Sequence, residues 1–375
     1  MRKLLWDISG AFGDIGIFFP LAILLISKNG INPTAMFLAA GIFYVVSAFY
    51  FRITMPVQPL KAMCVIAISM GLGFEVINAA GILMGIILIA IAATGISEKL
   101  GNIFPLSVIR GIQLGLGAML VKTSFNFIFN DIAIACVVGF FLFVVFTQYK
   151  SIPPLIPIMI LGVAISLSKI SLSFTGHIDF TPSLPNIDNF VTGFTILVIP
   201  QIALTFGNSI VATRNTGILL YGDKATRLNL ISIPLSIGLA NILSGFFGGA
   251  PMCHGSGGLT AHYNFGAKDS MSGYIIGITF ISIALFLGNS SFAFISAFPV
   301  GILGIILFCV GIQHASYIKD IIDDNKAFFN ALIVGIFGFV LNNLTIGFLA
   351  GLTLHYGLVV IKKLWDQLVR VTDMY

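Results

Sequence analysis

The sequence predicts an all-α polytopic membrane protein in which fourteen transmembrane segments form two inverted repeats of seven. Three observations support this prediction. The 375 residues are 58% hydrophobic and 9% charged, whereas soluble domains carry roughly 25% charged residues. Apolar stretches long enough to cross a bilayer recur along the chain. Finally, landmarks of the first half return in the second half at a nearly constant offset.

A segment needs about 20 residues, mostly apolar, to cross the hydrocarbon of a membrane. By this criterion the first seven segments are predicted at 8–26, 34–51, 56–72, 77–96, 103–121, 131–149 and 154–170. The second seven are predicted at 195–213, 228–247, 255–267, 272–288, 296–313, 327–343 and 347–363. The chain therefore divides into a first repeat (1–170), an external linker (171–194) and a second repeat (195–375).

The basic residues orient these segments. If the N-terminus is cytoplasmic and all fourteen segments cross, 14 Lys and Arg residues face the cytoplasm and 3 face outside. Lys61 and Arg110 lie within the membrane and complete the total of 19. Membrane proteins concentrate Lys and Arg in their cytoplasmic loops. We therefore expect both termini in the cytoplasm and a multi-pass protein of the plasma membrane, and we attribute the net charge of +5 to these loops rather than to a nucleic-acid partner.

Three landmarks define the repeat. Phe12-Gly13-Asp14 returns as Phe206-Gly207-Asn208, Pro56 as Pro251, and Phe104-Pro105 as Phe298-Pro299, at offsets of 194, 195 and 194. Because each repeat has an odd number of segments, the second repeat enters the membrane upside down relative to the first. Secondary transporters commonly have this architecture, with binding sites built from broken helices near the midplane of the bilayer.

Segments three and ten are predicted to be broken. In "MPVQPLKAM" (55–63) the prolines favour a short extended stretch, after which a half-helix starts with Gln58 as its N-cap and Pro59 as its first residue. Its counterpart, "GGAPMCHGSGGLTAHYNFG" (248–266), uses glycines for the same purpose. Irregular backbone at membrane depth is tolerated only where it is buried in protein or lines a wet cavity. The two breaks therefore predict a binding site.

That site is predicted to bind an anion. Two facing helix N-termini present free N–H groups and the positive ends of two helix dipoles. Lys61 lies in the first turn of its half-helix, where a cation opposes the dipole unless it has a negative partner. Either a bound anion or Asp14 is that partner. Asp14 is thus either a proton carrier or one half of a structural ion pair.

The candidate residues fall into two groups. The predicted substrate-binding residues are Gln58, Pro59, Lys61, Asn208, Cys253, His254, Gly255, Ser256 and Gly257. The predicted coupling residues are Asp14 and His254, since histidine titrates near neutral pH. The remaining intramembrane polar residues are interpreted as packing or pore-lining (His262) or as pointing between segments (Arg110, Gln113 and His355).

No catalytic or metal-binding residues and no cofactor are predicted. The four cysteines have no CxxC spacing, and the chain contains neither a GxSxG nor an HExxH motif, so an intramembrane hydrolase is disfavoured. A passive anion channel on the same scaffold stays open as an alternative. A carrier for nucleobases would be expected to place carboxylates on segments eight and ten, where this chain has Asn208 and His254.

At these residues the sequence resembles the molybdate transporters related to the sulfate permease superfamily. The resemblance rests on four stretches: "FGDIGIFFPLAI" (12–23), "PVQPLKA" (56–62), "FGNSIVAT" (206–213) and "PMCHGSGGLTAHYNFGAK" (251–268). It implies a fourteen-segment fold with core and gate domains, high-affinity molybdate uptake and an oxyanion bound between segments three and ten. Leu60 and Lys268 depart mildly from the family pattern. No cytoplasmic STAS domain is expected after the last segment.

Molybdate is a dianion, and moving two negative charges into a cell at −100 mV costs about 4.6 kcal/mol. We therefore expect symport with at least two protons, or exchange for an internal anion. Transport is expected to proceed by alternating access, with segments 1, 3, 8 and 10 moving against a gate of segments 5–7 and 12–14. The expected partners are molybdate or a related oxyanion such as sulfate or tungstate, protons, the lipid bilayer and, in a homodimer, a second copy of the chain.

Overall fold

A computed structural model describes residues 2–101, 104–149, 151–170, 184–341 and 343–357. The helices of the first half are α1 (Arg2–Ala11), α2 (Ile15–Asn29), α3 (Pro33–Phe51), α4 (Lys61–Met70), α5 (Phe74–Ala93), α6 (Ile96–Gly101), α7 (Leu106–Asn130), α8 (Ile132–Thr147) and α9 (Leu155–Lys169). Those of the second half are α10 (Ile187–Thr192), α11 (Ile199–Leu204), α12 (Thr213–Tyr221), α13 (Ser232–Phe246), α14 (Ser256–Asn264), α15 (Met271–Ser282), α16 (Ser291–Ser296), α17 (Val300–Ala315), α18 (Asn325–Val340) and α19 (Leu344–Gly357). The helical protein class is therefore confirmed.

Several helices change their hydrogen-bonding pattern along their length. Turns of π-helix at Gly193–Val198 and Thr205–Ala212 join α10, α11 and α12 into one bent rod, and a π turn at Ile283–Leu287 extends α15. A 3-10 turn at Ser316–Ile321 extends α17. π-bulges inside helices are frequent at functional sites. The second of these turns contains Asn208, the repeat equivalent of Asp14.

Within the described ranges, six helical stretches are long and apolar enough to cross a membrane, and the bent pair at 187–202 and 205–225 makes a seventh if it is one span. The six are Arg2–Asn29, Pro33–Phe51, Phe74–Ala93, Leu106–Asn130, Met271–Ser296 and Val300–Ile321. Six shorter apolar helices accompany them: α4, α8, α9, α13, α18 and α19. Every predicted segment overlaps one of these helices or α14. That all fourteen cross the membrane, and in which direction, stays a prediction.

The predicted linker is only partly described. Residues 171–183 lie outside the described ranges, as do residues 358–375, which include the end of the last predicted segment (347–363). Within 184–194 the chain is already helical, since α10 begins at Ile187. Asn186 caps this helix, with its side chain accepting a hydrogen bond from the N–H of Asn189 at 2.8 Å. The helix that contains the start of the predicted eighth segment therefore begins before residue 195.

The two halves meet about a local two-fold axis. Strands β1 (Gln58–Pro59) and β2 (Met252–Cys253) pair antiparallel, with Gln58 opposite Cys253. The repeat offset of 195 makes these two residues equivalent, and equivalent residues oppose each other only when a two-fold axis passes between them. The pairing of the helices follows the same axis, since α3 packs on α15, α5 on α13, and α7 on α17.

Glycine makes these helix contacts close. A Cβ atom built on Gly117 of α7 would lie 2.6 Å from the carbonyl oxygen of Gly311 of α17, and the reverse distance is 2.8 Å. The pairs Gly85–Gly238 and Gly41–Gly277 show the same mutual approach, within 2.6 to 2.9 Å. Small residues allow membrane helices to pack backbone against backbone. The contacts between the halves therefore depend on these glycines.

Short extended segments do precede half-helices α4 and α14, as the sequence predicts. The predicted start of α4 is wrong, however. Gln58 and Pro59 belong to β1, so Leu60 is the N-cap residue and the helix begins at Lys61. Pairing with β2 holds this backbone extended, and the N–H of Leu60 donates to the carbonyl oxygen of Pro251 at 2.9 Å. Strand pairing thus moves the start of α4 from the predicted Pro59 to Lys61.

Candidate functional site

The starts of α4 and α14 are brought together by the two-stranded ladder. The N-cap residues, Leu60 and Gly255, are extended, and neither makes a side-chain capping bond. The first N–H groups of an α-helix have no partner within the helix. Gln201 takes one of them, accepting from the N–H of Met63 at 2.9 Å. The remaining first-turn N–H groups and the two dipoles make this junction suited to negative charge.

Lys61 adds a full positive charge at the same place. Its Nζ atom is buried and has no hydrogen-bond partner among the described residues. The ion pair with Asp14, one of the two alternatives from the sequence, is not found among the described residues, because Asp14 is held by other groups. A buried cation without a partner is costly. Lys61 is therefore available to a ligand.

Gln58 lies across the first turn of α14. A Cβ atom on Gly255 would lie 2.8 Å from Gln58 Oε1, and one on Gly258 would collide with Gln58 Nε2 and lie 2.6 Å from Pro56 Cβ. These glycines have ordinary backbone angles, so they provide space rather than a left-handed turn. A Cβ atom on Gly257 meets nothing closer than 3.6 Å. The amide of Gln58 thus fills space that side chains would otherwise occupy.

His254 connects the starts of the two half-helices. Its Nδ1 atom lies 2.8 Å from the carbonyl oxygen of Pro56, and its Nε2 atom lies 3.1 Å from Ser236 Oγ. Its ring packs on Phe43 and Phe51, with centroid distances of 4.7 and 5.5 Å. Both ring nitrogens are therefore engaged on the protein side. A role in binding or coupling stays a prediction.

Asn208 and Ser256 touch each other on the opposite side of α14. The hydroxyl of Ser256 donates to Asn208 Oδ1 at 2.7 Å and lies 3.2 Å from His314 Nε2. Thr260, one turn later, lies 3.1 Å from His314 Nδ1. Because its hydroxyl is already used, Ser256 offers a ligand its main-chain N–H. His314 on α17 is a buried residue that the sequence analysis missed.

Asp14 sits at the break between α1 and α2. It is the N-cap residue of α2 but makes no capping bond. Its carboxylate instead accepts from the hydroxyl of Tyr44 at 2.8 Å and from Gln58 Nε2 at 3.3 Å, and lies 3.2 Å from His262 Nε2. Gly13 permits this position, since a Cβ atom there would lie 2.7 Å from the carbonyl oxygen of Ala261. Asp14, Tyr44, Gln58 and His262 are called the Asp14 cluster below.

Arg110 and Gln113 lie away from the half-helix junction. Arg110 pairs with Asp320 at 2.6 Å and donates to Asn215 at 2.7 Å, while Gln113 donates to Thr216 at 2.8 Å. These bonds connect α7 and the turn after α17 with α12. Both residues therefore point between segments, as expected from the sequence.

The predicted site residues thus separate by position. Gln58, Cys253 and Pro59 form the ladder; Lys61, Gly255, Ser256 and Gly257 form the two half-helix starts; Asn208, His254 and Asp14 pack around them. Tyr44, Gln201 and His314 are not predicted from the sequence, and His262 is predicted only as packing or pore-lining. His314 and His262 had a detectable signal, since both are histidines inside apolar stretches. Tyr44 had none.

Comparisons with known proteins agree with this architecture. The family described as "Molybdate transporter of MFS superfamily" matches residues 7–120 and 193–313. Molybdate transporter 2 of Arabidopsis thaliana is 28% identical, covering 93% of this chain and 86% of the relative. Molybdate transporter 1 of Chlamydomonas reinhardtii is 23% identical, covering 93% and 91%.

Among solved structures, the transmembrane domain of the cyanobacterial bicarbonate transporter BicA matches with a TM-score of 0.58 at 16% identity, covering 93% of this chain and 97% of that one. The murine Slc26a9 anion transporter in the inward-facing state matches with a TM-score of 0.64 at 16% identity, covering 96% and 68%. At such identities the likeness shows the fold alone. The family and its neighbours are transporters and not enzymes, which confirms that expectation. Because the family match spans more than half of its residues, this chain belongs to the molybdate transporter family.

Proposed function

We propose that this protein imports molybdate by proton-coupled alternating access, and that the oxyanion binds between the starts of α4 and α14. One observation carries the proposal: the buried Lys61 Nζ, without a partner among the described residues, at a point where two uncapped helix N-termini meet. The names of the curated relatives support molybdate as the substrate.

The charges at the junction suit a tetrahedral dianion. Charge-assisted hydrogen bonds to an ionised partner contribute about 1.5–3 kcal/mol each. In this proposal Lys61 supplies one of them, and the main-chain N–H groups of Ser256 and Gly257 supply others. A ligand oxygen near these donors also faces the amide of Gln58. An anion with several equivalent oxygens can satisfy all of these groups at once.

Four further residues shape the junction without offering a free charge. Cys253 and Pro59 belong to the ladder that sets the distance between the half-helices. Asn208 holds the hydroxyl of Ser256, and His254 links α14 to the carbonyl oxygen of Pro56. In the proposal these residues act on the anion mainly by fixing the positions of the groups that contact it.

Proton coupling follows from the energetics of import. A dianion entering against −100 mV pays about 4.6 kcal/mol, and each accompanying proton returns about 2.3 kcal/mol. Asp14 and His254 are the coupling candidates from the sequence. Asp14 is the stronger of the two, because its carboxylate is buried and contacts Gln58 of the binding junction.

Alternating access would break and remake the contacts of α12 and α14 with α7 and α17. These contacts include several polar ones: Arg110 with Asn215, Gln113 with Thr216, and His314 with Ser256 and Thr260. Hydrogen bonds of this kind exchange readily for bonds to water when a cavity opens. They are therefore suited to a movable boundary between two rigid bundles.

Uptake by purified protein in liposomes tests the proposal. Isotopically enriched molybdate should accumulate when the outside is acidic, and excess unlabelled molybdate should compete better than equal sulfate. Stronger competition by sulfate would identify a sulfate or broader oxyanion transporter instead. Uptake that never exceeds electrochemical equilibrium of the anion, with or without a pH gradient, would identify a passive channel and contradict the proposal.

A further inference from the structure

We propose that Asp14 and His262 together form the proton-binding site of the transport cycle, and that the coupled proton resides on His262 Nε2. The inference rests on the proposed function and assigns an atom to its proton. His262 replaces His254 as the histidine partner in coupling.

The side chains of the pair are buried and have no contact with bulk water. His262 and Asp14 are 0% and 1% exposed, and His262 Nε2 lies 3.2 Å from Asp14 Oδ1. Among the described residues, Asp14 Oδ1 accepts no hydrogen bond, either from His262 Nε2 or from another donor. The presence or absence of a proton on His262 Nε2 therefore decides whether the two side chains attract or repel each other.

The contact of the other ring nitrogen, Nδ1, fixes the tautomer of the neutral imidazole. His262 Nδ1 lies 2.8 Å from the carbonyl oxygen of Gly10, which can only accept a hydrogen bond, so Nδ1 carries a hydrogen. In neutral histidine Nε2 then has a lone pair. Nε2 lies 3.2 Å from Asp14 Oδ1 and 3.4 Å from the Tyr44 hydroxyl. At 3.2 Å a carboxylate repels the lone pair of Nε2, whereas a proton on Nε2 makes an imidazolium–carboxylate ion pair.

The groups around Asp14 and His262 favour the binding of one proton by the pair rather than two. Asp14 Oδ2 accepts from the Tyr44 hydroxyl at 2.8 Å and from Gln58 Nε2 at 3.3 Å. These donors stabilise the ionised carboxylate. A second proton on Asp14 would oppose the donors on both oxygens. The Tyr44 hydroxyl also lies 3.4 Å from His262 Nε2 and can turn toward that nitrogen when the proton leaves.

Other titratable groups near the pair are occupied or carry a fixed charge. On the same helix as His262, Tyr263 packs on Tyr221 of α12. From α17, His314 and Tyr317 contact Thr260, and Arg110 of α7 pairs with Asp320. His254 is engaged by Pro56 and Ser236. On α4, Lys61 carries its charge within electrostatic reach of Asp14 and Cys253.

The Asp14–His262 pair affects the anion site in two ways: Asp14 contacts Gln58, and the net charge of the pair acts on the anion electrostatically. With the proton, the pair is neutral and Lys61 faces the anion unopposed. Without the proton, the pair carries one negative charge beside a dianion. Proton binding therefore favours anion binding, and proton loss favours anion release, which is the reciprocity that symport requires.

The step itself is a simple proton transfer. On the outside, a proton from water forms the N–H bond at Nε2 as the anion binds. On the inside, that N–H bond breaks, the proton returns to water and the anion leaves. The pair thus accounts for one of the at least two protons that the electrical cost of the dianion demands, and it does so without an additional reactant.

Calorimetric titration of purified protein with molybdate from about pH 5.5 to about pH 8.5 tests the assignment. One linked proton makes affinity fall by about tenfold per pH unit above the titration midpoint. Asp14→Asn and His262→Gln should each lower that slope by one proton. Asp14→Asn should still bind and exchange molybdate, because its amide can donate to Nε2, whereas His262→Gln should bind weakly because Asp14 stays charged. The double variant should bind like Asp14→Asn.

His355→Gln, on α19, is the matched control and should leave the slope unchanged. If Asp14→Asn and His262→Gln fold but keep the wild-type slope, the inference is overturned while the proposed function stands. If the wild-type protein does not bind molybdate at any pH, the proposed function itself fails. If His262→Gln does not fold, His262→Asn takes its place, and a wild-type slope in that variant overturns the inference.

Discussion

At the scale of single residues, the surroundings of Lys61 distinguish a role in anion binding from a role in a structural ion pair. A buried charge without a partner costs several kcal/mol, even after the protein relaxes around it. Its Nζ atom has no described partner, and the carboxylate of Asp14 is held by Tyr44, Gln58 and His262. In the proposed site, a bound anion would offset the cost of Lys61.

Replacing Lys61 should consequently weaken binding without weakening the fold. Lys61→Met removes the charge at nearly constant length, so molybdate affinity should fall about 10- to 100-fold, which corresponds to one charge-assisted hydrogen bond. In buffer without oxyanions its unfolding temperature should equal or exceed that of the wild type. Thermal unfolding with and without molybdate measures both effects, and Lys61→Arg serves as the charge-retaining control. A marked loss of stability of Lys61→Met in the absence of anion would instead support a structural ion pair between Lys61 and Asp14.

Tyr44 provides an independent prediction at the same scale. Tyr44→Phe removes a donor from the ionised Asp14, and also the donor available to a deprotonated His262. Both losses favour the protonated pair, so the pH dependence of molybdate binding should shift toward higher pH. Tyr50→Phe, at an exposed position, is the control. A shift toward lower pH would contradict the proposed roles of the Asp14 cluster.

At the scale of elements, the half-helices show what the sequence can and cannot predict. The prolines around Gln58 and the glycines around Ser256 indicate broken helices, and both breaks are found. The start of α4 could not be placed from local signals, because β1 pairs with a strand nearly 200 residues away. Local capping preferences predict Pro59 at the start, whereas the ladder keeps Pro59 extended.

The glycines of α14 differ in how closely they are packed, and this predicts unequal effects. Gly258→Ala places a methyl group against Gln58 and Pro56 and should lower the unfolding temperature by several degrees, as overpacking costs about 1–3 kcal/mol. Gly257→Ala meets only ordinary contacts with Leu116 and Leu120 and should leave the unfolding temperature close to wild type. Equal unfolding temperatures for both variants would show that Gln58 does not lie across α14.

At the scale of the whole molecule, the repeat offset anticipates the two-fold relation between the halves. Pro56 and Pro251 place Gln58 opposite Cys253, and the glycine pairs follow the same axis. The side-chain contacts between distant segments were not predictable. His262 reaches Asp14 only because α14 packs on the break after α1, and the offset says nothing of that contact. Segment count, orientation and coupling remain predictions.

Relative motion of α7 and α12 can be tested by cross-linking these two helices. A short thiol-specific cross-linker between Gln113→Cys on α7 and Thr216→Cys on α12 should abolish molybdate uptake, because the side chains of these positions are in hydrogen-bond contact. Reductive cleavage of a disulfide-containing linker should restore uptake. With the four native cysteines replaced in every variant, a variant with only one of the two introduced cysteines should be insensitive to the reagent. Full uptake by the linked protein would exclude relative motion of α7 and α12.

The location of the bound oxyanion is the most direct test of the central claim. Tungstate is a tetrahedral dianion like molybdate, and its heavy atom can be located unambiguously by anomalous diffraction. The crystal structure of the tungstate complex should show the tungsten atom between Lys61 Nζ and the first-turn N–H groups of α14, and this peak should vanish in Lys61→Met. A peak elsewhere in the protein, or one that persists in Lys61→Met, would contradict the anion site at the half-helix junction.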